Sequence, residues 1–221
     1  MNADFSTLYQ TQVLSQTRIQ QGAFVLKFNK DVNFKAGQVL AITTHHSIAP
    51  RLYSILSGEN EEQYEILYDV KHGGMLTPKL SGLKEGDTLF ISKPFGQFLY
   101  QQQQPAWFIA TGTGIAPFIS MCRSYNLKDI RVIQGARLTG HFYFQEYLSS
   151  MFDNSYIRCC SGEQGPGLVS SRLTNYLQQL SVLPLNNLYY LCGAAEMVVE
   201  TRDILIGKGI AFENIKSEIY F

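Results

Sequence analysis

Cysteine is scarce in this 221-residue chain, and so is any long run of one charge or of apolar residues. The four cysteines, Cys122, Cys159, Cys160 and Cys192, form no C-x-x-C pair and no iron–sulfur spacing. A reducing, cytoplasmic setting is the expectation. Lys and Arg number 18 against 18 Asp and Glu, and the basic residues are dispersed, which argues against nucleic acid. No apolar run approaches the roughly 18 residues that span a bilayer. The start, Met1-Asn2-Ala3-Asp4-Phe5, has no basic region followed by an apolar stretch, so no secretory signal is expected. His45, His46, His72 and His141 lack companion ligands at metal spacing and read as loop residues; no metal site is expected.

What is present begins with Trp107 to Phe118, where the β-prone run Trp107–Thr111 ends in Gly112-Thr113-Gly114 and Pro117 opens a helix-compatible stretch, Phe118 to Tyr125. Glycines let the backbone turn sharply and let another molecule approach its N–H groups. Proline suits the first helical turn, and a helix N-terminus behind such a turn attracts phosphate. A pyrophosphate cradle is the natural reading. It is not the phosphate loop of nucleoside triphosphatases, because no Gly-Lys-Ser or Gly-Lys-Thr follows. Nor is it G-x-G-x-x-G, since Pro117 stands where the third glycine would fall.

A second constellation lies upstream. In Arg51 to Ser57, strand alternation puts Arg51, Tyr53 and Ile55 on one face and Leu52, Ser54 and Leu56 on the other. An arginine fork suits a pyrophosphate, a tyrosine ring suits a planar cofactor, and the Ser54 hydroxyl can exchange a hydrogen bond with a ring nitrogen. His72 to Pro78 offers glycines, a hydroxyl and the start of a short helix, hence a second phosphate-binding turn. Gly86 to Phe98 reads as turn, strand and turn.

With these motifs in hand, the chain resembles the ferredoxin/flavodoxin–NADP(H) reductase superfamily. The superfamily's R-x-Y-S/T element stands here as Arg51-Leu52-Tyr53-Ser54, and its G-x-x-S/T element as Gly74-Met75-Leu76-Thr77. P-F-G-x-F stands as Pro94 to Phe98, the nicotinamide-nucleotide turn as Thr111 to Pro117, the strand-end Cys-Gly as Cys192-Gly193, and the acid-plus-aromatic tail as Glu218-Ile219-Tyr220-Phe221. They occur in the superfamily's order over nearly the whole chain.

Organisation agrees. Through residue 100, short segments rich in β-branched and aromatic residues (Val13-Leu14, Gly22–Phe28, Val39–Thr43, Leu52–Leu56, Tyr64–Val70, Thr88–Ile91) suggest a small antiparallel barrel. The run Gln101 to Pro105 reads as a connector. Beyond it, strands at Ile130–Gln134, Tyr156–Cys160 and Leu188–Cys192 alternate with helices at Phe118–Tyr125, Phe144–Met151, Val169–Leu180 and Ala195–Ile206. That rhythm argues for a doubly wound parallel sheet with ligands at the carboxyl ends of its strands. The expected division is an FAD-binding antiparallel β-barrel over 1–100 and an α/β nicotinamide-nucleotide domain over 101–221, with flavin and nicotinamide meeting in the cleft.

The resemblance implies an FAD enzyme that moves electrons between NAD(P)H, NADPH favoured and NAD(H) possible, and a separate ferredoxin or flavodoxin, acting as a monomer. It implies FAD contacts from Arg51, Leu52, Tyr53, Ser54, Tyr68, Val70, Gly74, Met75, Leu76, Thr77, Thr113 and a terminal aromatic, Tyr220 or Phe221. For NADP it implies Gly112, Thr113, Gly114, Pro117, Ala136, Arg137, Arg172 and Cys192. Ser54, Cys192 and Glu218 are the implied catalytic residues: Ser54 near flavin N5, Cys192 beside the nicotinamide, and Glu218 orienting Ser54 or relaying a proton. The superfamily often has Ser-Arg-Glu where this chain reads Ser161-Gly162-Glu163, so one expected cation is missing. An NAD(P)H–flavin reductase or the reductase component of an oxygenase is the alternative, and a non-catalytic structural subunit is a third reading. No fused ferredoxin, globin or cysteine-rich tail appears, so the acceptor is expected to be another molecule.

Overall fold

Strand-forming segments in the first hundred residues pair as one antiparallel sheet. The strands are β1 (Tyr9–Gln20), β2 (Ala23–Asn29), β3 (Val39–Thr43), β4 (Arg51–Ser54), β5 (Gln63–Asp69) and β6 (Thr88–Ile91), in the order β4-β3-β6-β1-β2-β5. The edge strands meet through an Ile55–Ile66 bridge and a Leu56 N–H bond to the Glu65 carbonyl at 2.7 Å, closing the sheet into a barrel. Its interior is apolar, with Leu26, Phe28, Leu40, Ile42, Tyr64, Ile66 and Leu89 buried together. This computed structural model describes residues 8–20, 22–101 and 104–220. β1 is far longer than its apolar Val13-Leu14 seed; its Gln- and Thr-rich flanks are recruited by pairing with both β2 and β6. A short helix, α1 (Thr77–Leu80), follows the His72–Leu76 segment.

The second sheet is parallel throughout. It comprises β7 (Ala106–Thr111), β8 (Ile130–Ala136), β9 (Tyr156–Cys160), β10 (Leu168–Val169), β11 (Leu188–Ala194) and β12 (Ile215–Tyr220), in the order β10-β9-β8-β7-β11-β12. Central strands are apolar on both faces, as a helix-covered parallel sheet requires; Leu188 to Gly193 are all buried. The helices are α3 (Gln145–Phe152), α4 (Leu173–Gln179) and α5 (Ala195–Gly207). α4 starts four residues later than its expected boundary because Leu168 and Val169 pair with β9 as an edge strand. The terminal acid-plus-aromatic segment, expected as a tail, is a strand in register with β11.

The chain divides into two units, Met1–Tyr100 with Ala116–Tyr125, and Gln101–Ile115 with Asn126–Phe221. The helix α2 (Ala116–Ser124) therefore groups with the barrel although it lies beyond the residue 100/101 junction. Residues Ala116 to Cys122 are all buried, so this helix is apolar nearly all round. Its polar residues find partners on the barrel. Arg123 Nη1 bonds Glu65 Oε2 at 2.7 Å, the Ser120 hydroxyl donates to the Ser57 carbonyl at 2.6 Å, and Glu59 N–H donates to Ser124 Oγ at 2.9 Å. Burial alone would raise Glu65, but hydrogen bonds from Arg123 and Lys27 outweigh it and hold the carboxyl below its ordinary range.

A carboxyl with a lowered native pKa stabilises the fold above its unfolded pKa and loses that contribution as pH falls through the native value. Glu65→Gln should therefore cost about 1–3 kcal/mol at neutral pH. The gap from wild type should close on acidification below the ordinary carboxylate range. Urea unfolding at about pH 7 and about pH 3 measures both, and a gap that persists in acid contradicts the assignment.

Candidate functional site

Chain order reverses between β7 and β11, which makes the carboxyl ends of these strands the topological switch point of the parallel sheet, where open α/β sheets bind ligands. Thr111 to Gly114 and Cys192-Gly193 stand there. The expected open turn is a single 3₁₀ turn, Gly112–Ile115, running directly into α2, with Pro117 the second residue of that helix. The two glycines serve different needs. Gly112 has φ +54° with open space where a Cβ would stand. A Cβ on Gly114 would lie 2.3 Å from the Cys192 carbonyl oxygen and 2.6 Å from Gly193 Cα. Gly193, at φ +139°, fits equally tightly against Thr111, whose hydroxyl accepts the Ala194 N–H at 3.3 Å. Thr113 is half-buried on the turn.

Cys192 is fully buried, and Glu218 is its register partner on β12. Burial pushes the thiol well above its ordinary value and the Glu218 carboxylate pushes it further, while a hydrogen bond with Tyr220 pulls it partly back. At neutral pH this sulfur is a neutral thiol, not a nucleophile. Cys192, Glu218 and Tyr220 are thus brought together; Phe221 lies outside the described residues.

On the barrel, Arg51 is exposed and makes no ion pair among the described residues. Next to it Leu52 is exposed, Tyr53 half-buried and Ser54 buried. Burial pushes the Tyr53 phenol up to about 12, with Arg51 acting in the opposite sense. The Tyr53 ring meets Tyr68 edge-on at 6.3 Å, and Tyr68 stacks on Phe24 at 5.7 Å. Tyr68 is itself buried with its hydroxyl bonded to Gln16 at 2.6 Å, so it supports Tyr53 rather than offering a free face. Val70 is half-buried against the core and Leu76 lies within it. Gly73 turns with φ +74° in open space, Gly74 packs against Lys71, and the Thr77 hydroxyl accepts the Lys71 N–H at 2.8 Å. Met75 projects, 72% exposed. An uncompensated guanidinium beside an aromatic ring and exposed apolar side chains is a surface that fits both a pyrophosphate and a flat ring system.

Residues 7–100 match the oxidoreductase FAD-binding domain family and residues 108–203 the oxidoreductase NAD-binding domain family. The chain is 30% identical over 158 residues to a ferredoxin–NADP reductase of Pseudomonas aeruginosa, covering 66% of this chain and 61% of that protein. It is 25% identical over 216 residues to reductase component 1 of terephthalate 1,2-dioxygenase from Comamonas, covering 88% and 62%. The chain thus spans about three fifths of each of these relatives. A crystal structure of a Neisseria gonorrhoeae ferredoxin NADP+ reductase with bound FAD and NADP superposes with a TM-score of 0.88 at 19% identity, over 97% of this chain and 99% of that one. The chain belongs to the ferredoxin/flavodoxin–NADP(H) reductase superfamily. Its barrel matches an oxidoreductase FAD-binding domain and its α/β half an oxidoreductase NAD-binding domain.

Within that superfamily frame, the two candidate cations for a coenzyme phosphate differ. Arg137, next to half-buried Ala136 at the end of β8, is exposed and makes no ion pair among the described residues. Arg172 is already bonded to Glu196 at 3.0 Å. Glu196, at the start of α5, is a residue sequence reasoning passed over, and nothing in the spacing between positions 172 and 196 signals the pair. Gly162 also acquires a reason: a Cβ there would stand 2.5 Å from the Arg137 carbonyl oxygen, which accepts the Gly162 N–H at 2.8 Å. An arginine at this position is incompatible with the present loop. Among the described residues there is no metal-ligand cluster and no helix long and apolar enough to cross a membrane.

Gly114→Ala tests the switch point. With a Cβ 2.3 Å from a backbone oxygen, the ends of β7 and β11 must separate. The expected cost is about 1–3 kcal/mol or more, with loss of adenine-nucleotide binding by calorimetry. A variant with wild-type stability and affinity would show that the close approach relaxes freely.

Proposed function

We propose that the chain is an FAD-dependent reductase that moves electrons between NAD(P)H, NADPH favoured, and a separate one-electron carrier, ferredoxin or flavodoxin. The observation that carries this reading is the register pairing of Cys192 with Glu218 at the switch point, beside the Gly112–Ile115 turn. A small neutral thiol and a carboxylate at that place suit a nicotinamide ring that needs positioning, not covalent attack.

FAD supplies, when bound, a hydride acceptor at N5 and the release of electrons one at a time. The remaining work belongs to the protein. Arg51 would neutralise the pyrophosphate, and the Gly74–Thr77 turn would present backbone to it. Tyr53, braced by Tyr68, would cover one ring face, and Leu52 and Met75 would add apolar contact. Ser54, buried at the end of β4, would supply a hydroxyl to the flavin ring nitrogen. On the nucleotide domain, Gly112, Thr113 and Gly114 bind the coenzyme pyrophosphate, and Arg137 meets the 2′-phosphate. Cys192 would set the depth of the nicotinamide, and the Glu218 carboxylate would relay a proton. With Arg172 engaged by Glu196 and Gly162 in place of a cation, Arg137 carries most of the discrimination for NADPH.

Two measurements test the reading. Arg51→Ala should weaken FAD by one to two orders of magnitude, from a charge-assisted contact of about 1.5–3 kcal/mol. Full flavin occupancy after dialysis of that variant would remove Arg51 from the site. Stopped-flow reduction by NADPH and NADH forms the second test. Arg137→Ala should lower kcat/KM for NADPH roughly 10- to 100-fold and leave NADH almost unchanged. An equal loss with both coenzymes, or a wild type that prefers NADH, would reject the coenzyme assignment. Rapid turnover with free flavin and none with ferredoxin or flavodoxin would turn the reading toward a flavin reductase.

A further inference from the structure

We propose that Glu163 is a positioning residue for Arg137: by holding the backbone at Thr139, it keeps the Arg137 guanidinium where a coenzyme 2′-phosphate is read. The inference rests on the proposed reading of Arg137 as the phosphate cation. Both residues belong to the α/β unit and lie just beyond the carboxyl ends of the paired strands β8 and β9. Regular pairing of these strands ends at Ala136 and Cys160. Past that point a short series of bonds keeps the two segments together. Ser161 N–H donates to the Ala136 carbonyl at 3.0 Å, and Gly162 N–H to the Arg137 carbonyl at 2.8 Å. The Cys160 thiol donates to that same Arg137 oxygen at 3.3 Å.

Leu138 is still extended, and the chain then leaves the sheet as the 3₁₀ turn Thr139–His141. The first N–H of such a turn has no partner within it. Here that N–H belongs to Thr139, and it donates to Glu163 Oε2 at 2.7 Å. Arg137 is therefore tied at its own carbonyl by Gly162 and two residues later by Glu163. Its stem also runs over Gly162, where a Cβ would stand 3.2 Å from Arg137 Cγ. Placement and charge then act in opposite senses. Hydrogen bonds from the Thr139 side chain and N–H, with His141 nearby, hold the Glu163 carboxyl below its ordinary range, so it is ionised at neutral pH. A carboxylate repels a phosphate, but Glu163 is exposed, and water and salt screen that repulsion. The hydrogen bond is short-ranged and fixes the backbone from which the guanidinium is aimed. Placement should win, with Glu163 acting through Arg137 and not by contact with the phosphate.

The test titrates flavin-loaded protein calorimetrically with 2′-phospho-AMP and with AMP, which lacks the 2′-phosphate. Glu163→Ala should weaken 2′-phospho-AMP roughly 2- to 10-fold and leave AMP unchanged. Glu163→Gln, whose amide oxygen still accepts the Thr139 N–H, should bind 2′-phospho-AMP at least as tightly as wild type. Placement is kept there while the negative charge is gone. Thr139→Pro removes the N–H at a first-turn position that accepts proline, and should reproduce Glu163→Ala. In an Arg137→Ala background, Glu163→Ala should cause no further loss of 2′-phospho-AMP affinity. Unchanged or tighter 2′-phospho-AMP binding by Glu163→Ala overturns the proposal. So does an equal loss of both ligands, or a further loss on top of Arg137→Ala, since neither passes through the guanidinium. A wild type that binds 2′-phospho-AMP no better than AMP, or an Arg137→Ala variant that binds it as wild type does, rejects the reading of Arg137 itself.

Discussion

The second unit is organised around a place where two backbones touch. Gly114 and Gly193 bring the turn after β7 and the end of β11 closer than side chains allow, with Thr111 capping the contact through Ala194 N–H. Adjacent parallel strands of unlike chain position are thereby locked at their carboxyl ends. That locking fixes the height of Cys192, and through the β11–β12 register it fixes Glu218 and Tyr220 as well. The open space above Gly112 lies beside this contact. The need for glycine here is therefore double: one position for its φ, another for the neighbour's backbone.

The same contact explains why Cys192 is chemically quiet. A thiol at a strand end on a sheet edge would face water and titrate near its ordinary range. Between β7 and β12 it is enclosed and has a carboxylate at its register position, so both burial and charge favour the protonated form. Sulfur then serves by size and polarisability. A neutral thiol at this place offers bulk without nucleophilicity.

Much of this was legible in the sequence. Turn chemistry announced the Gly112–Gly114 element, strand periodicity found β3, β6 and β9 to the residue, and the ordered motifs gave the two-domain fold. The misses have physical causes. β1 is polar along most of its length and becomes a strand through its two neighbours, so its own composition understates it. β12 is a short segment of mixed polarity that depends on β11. The Arg172–Glu196 pair is a matter of where α5 begins relative to α4, which no residue spacing encodes. Gly162 reads in sequence as a missing cation, whereas in space it is the only residue type that fits beneath the Arg137 carbonyl.

Helix α2 carries the most general consequence. Chain order assigns it to the α/β half, because it follows β7 as a crossover helix should. Grouping and charge assign it to the barrel: residues 116–125 form one unit with residues 1–100, and Arg123 neutralises Glu65 at 2.7 Å. A carboxylate as enclosed as Glu65 requires a cation, and Lys27, at 2.9 Å and more exposed, is only half of the compensation. Placing the second cation on α2 makes the barrel's electrostatics depend on a segment that follows β7 in the chain. The barrel unit is thus complete only when residues 116–125 have been added to residues 1–100, and the ion pair that satisfies Glu65 also holds the end of α2 to that unit.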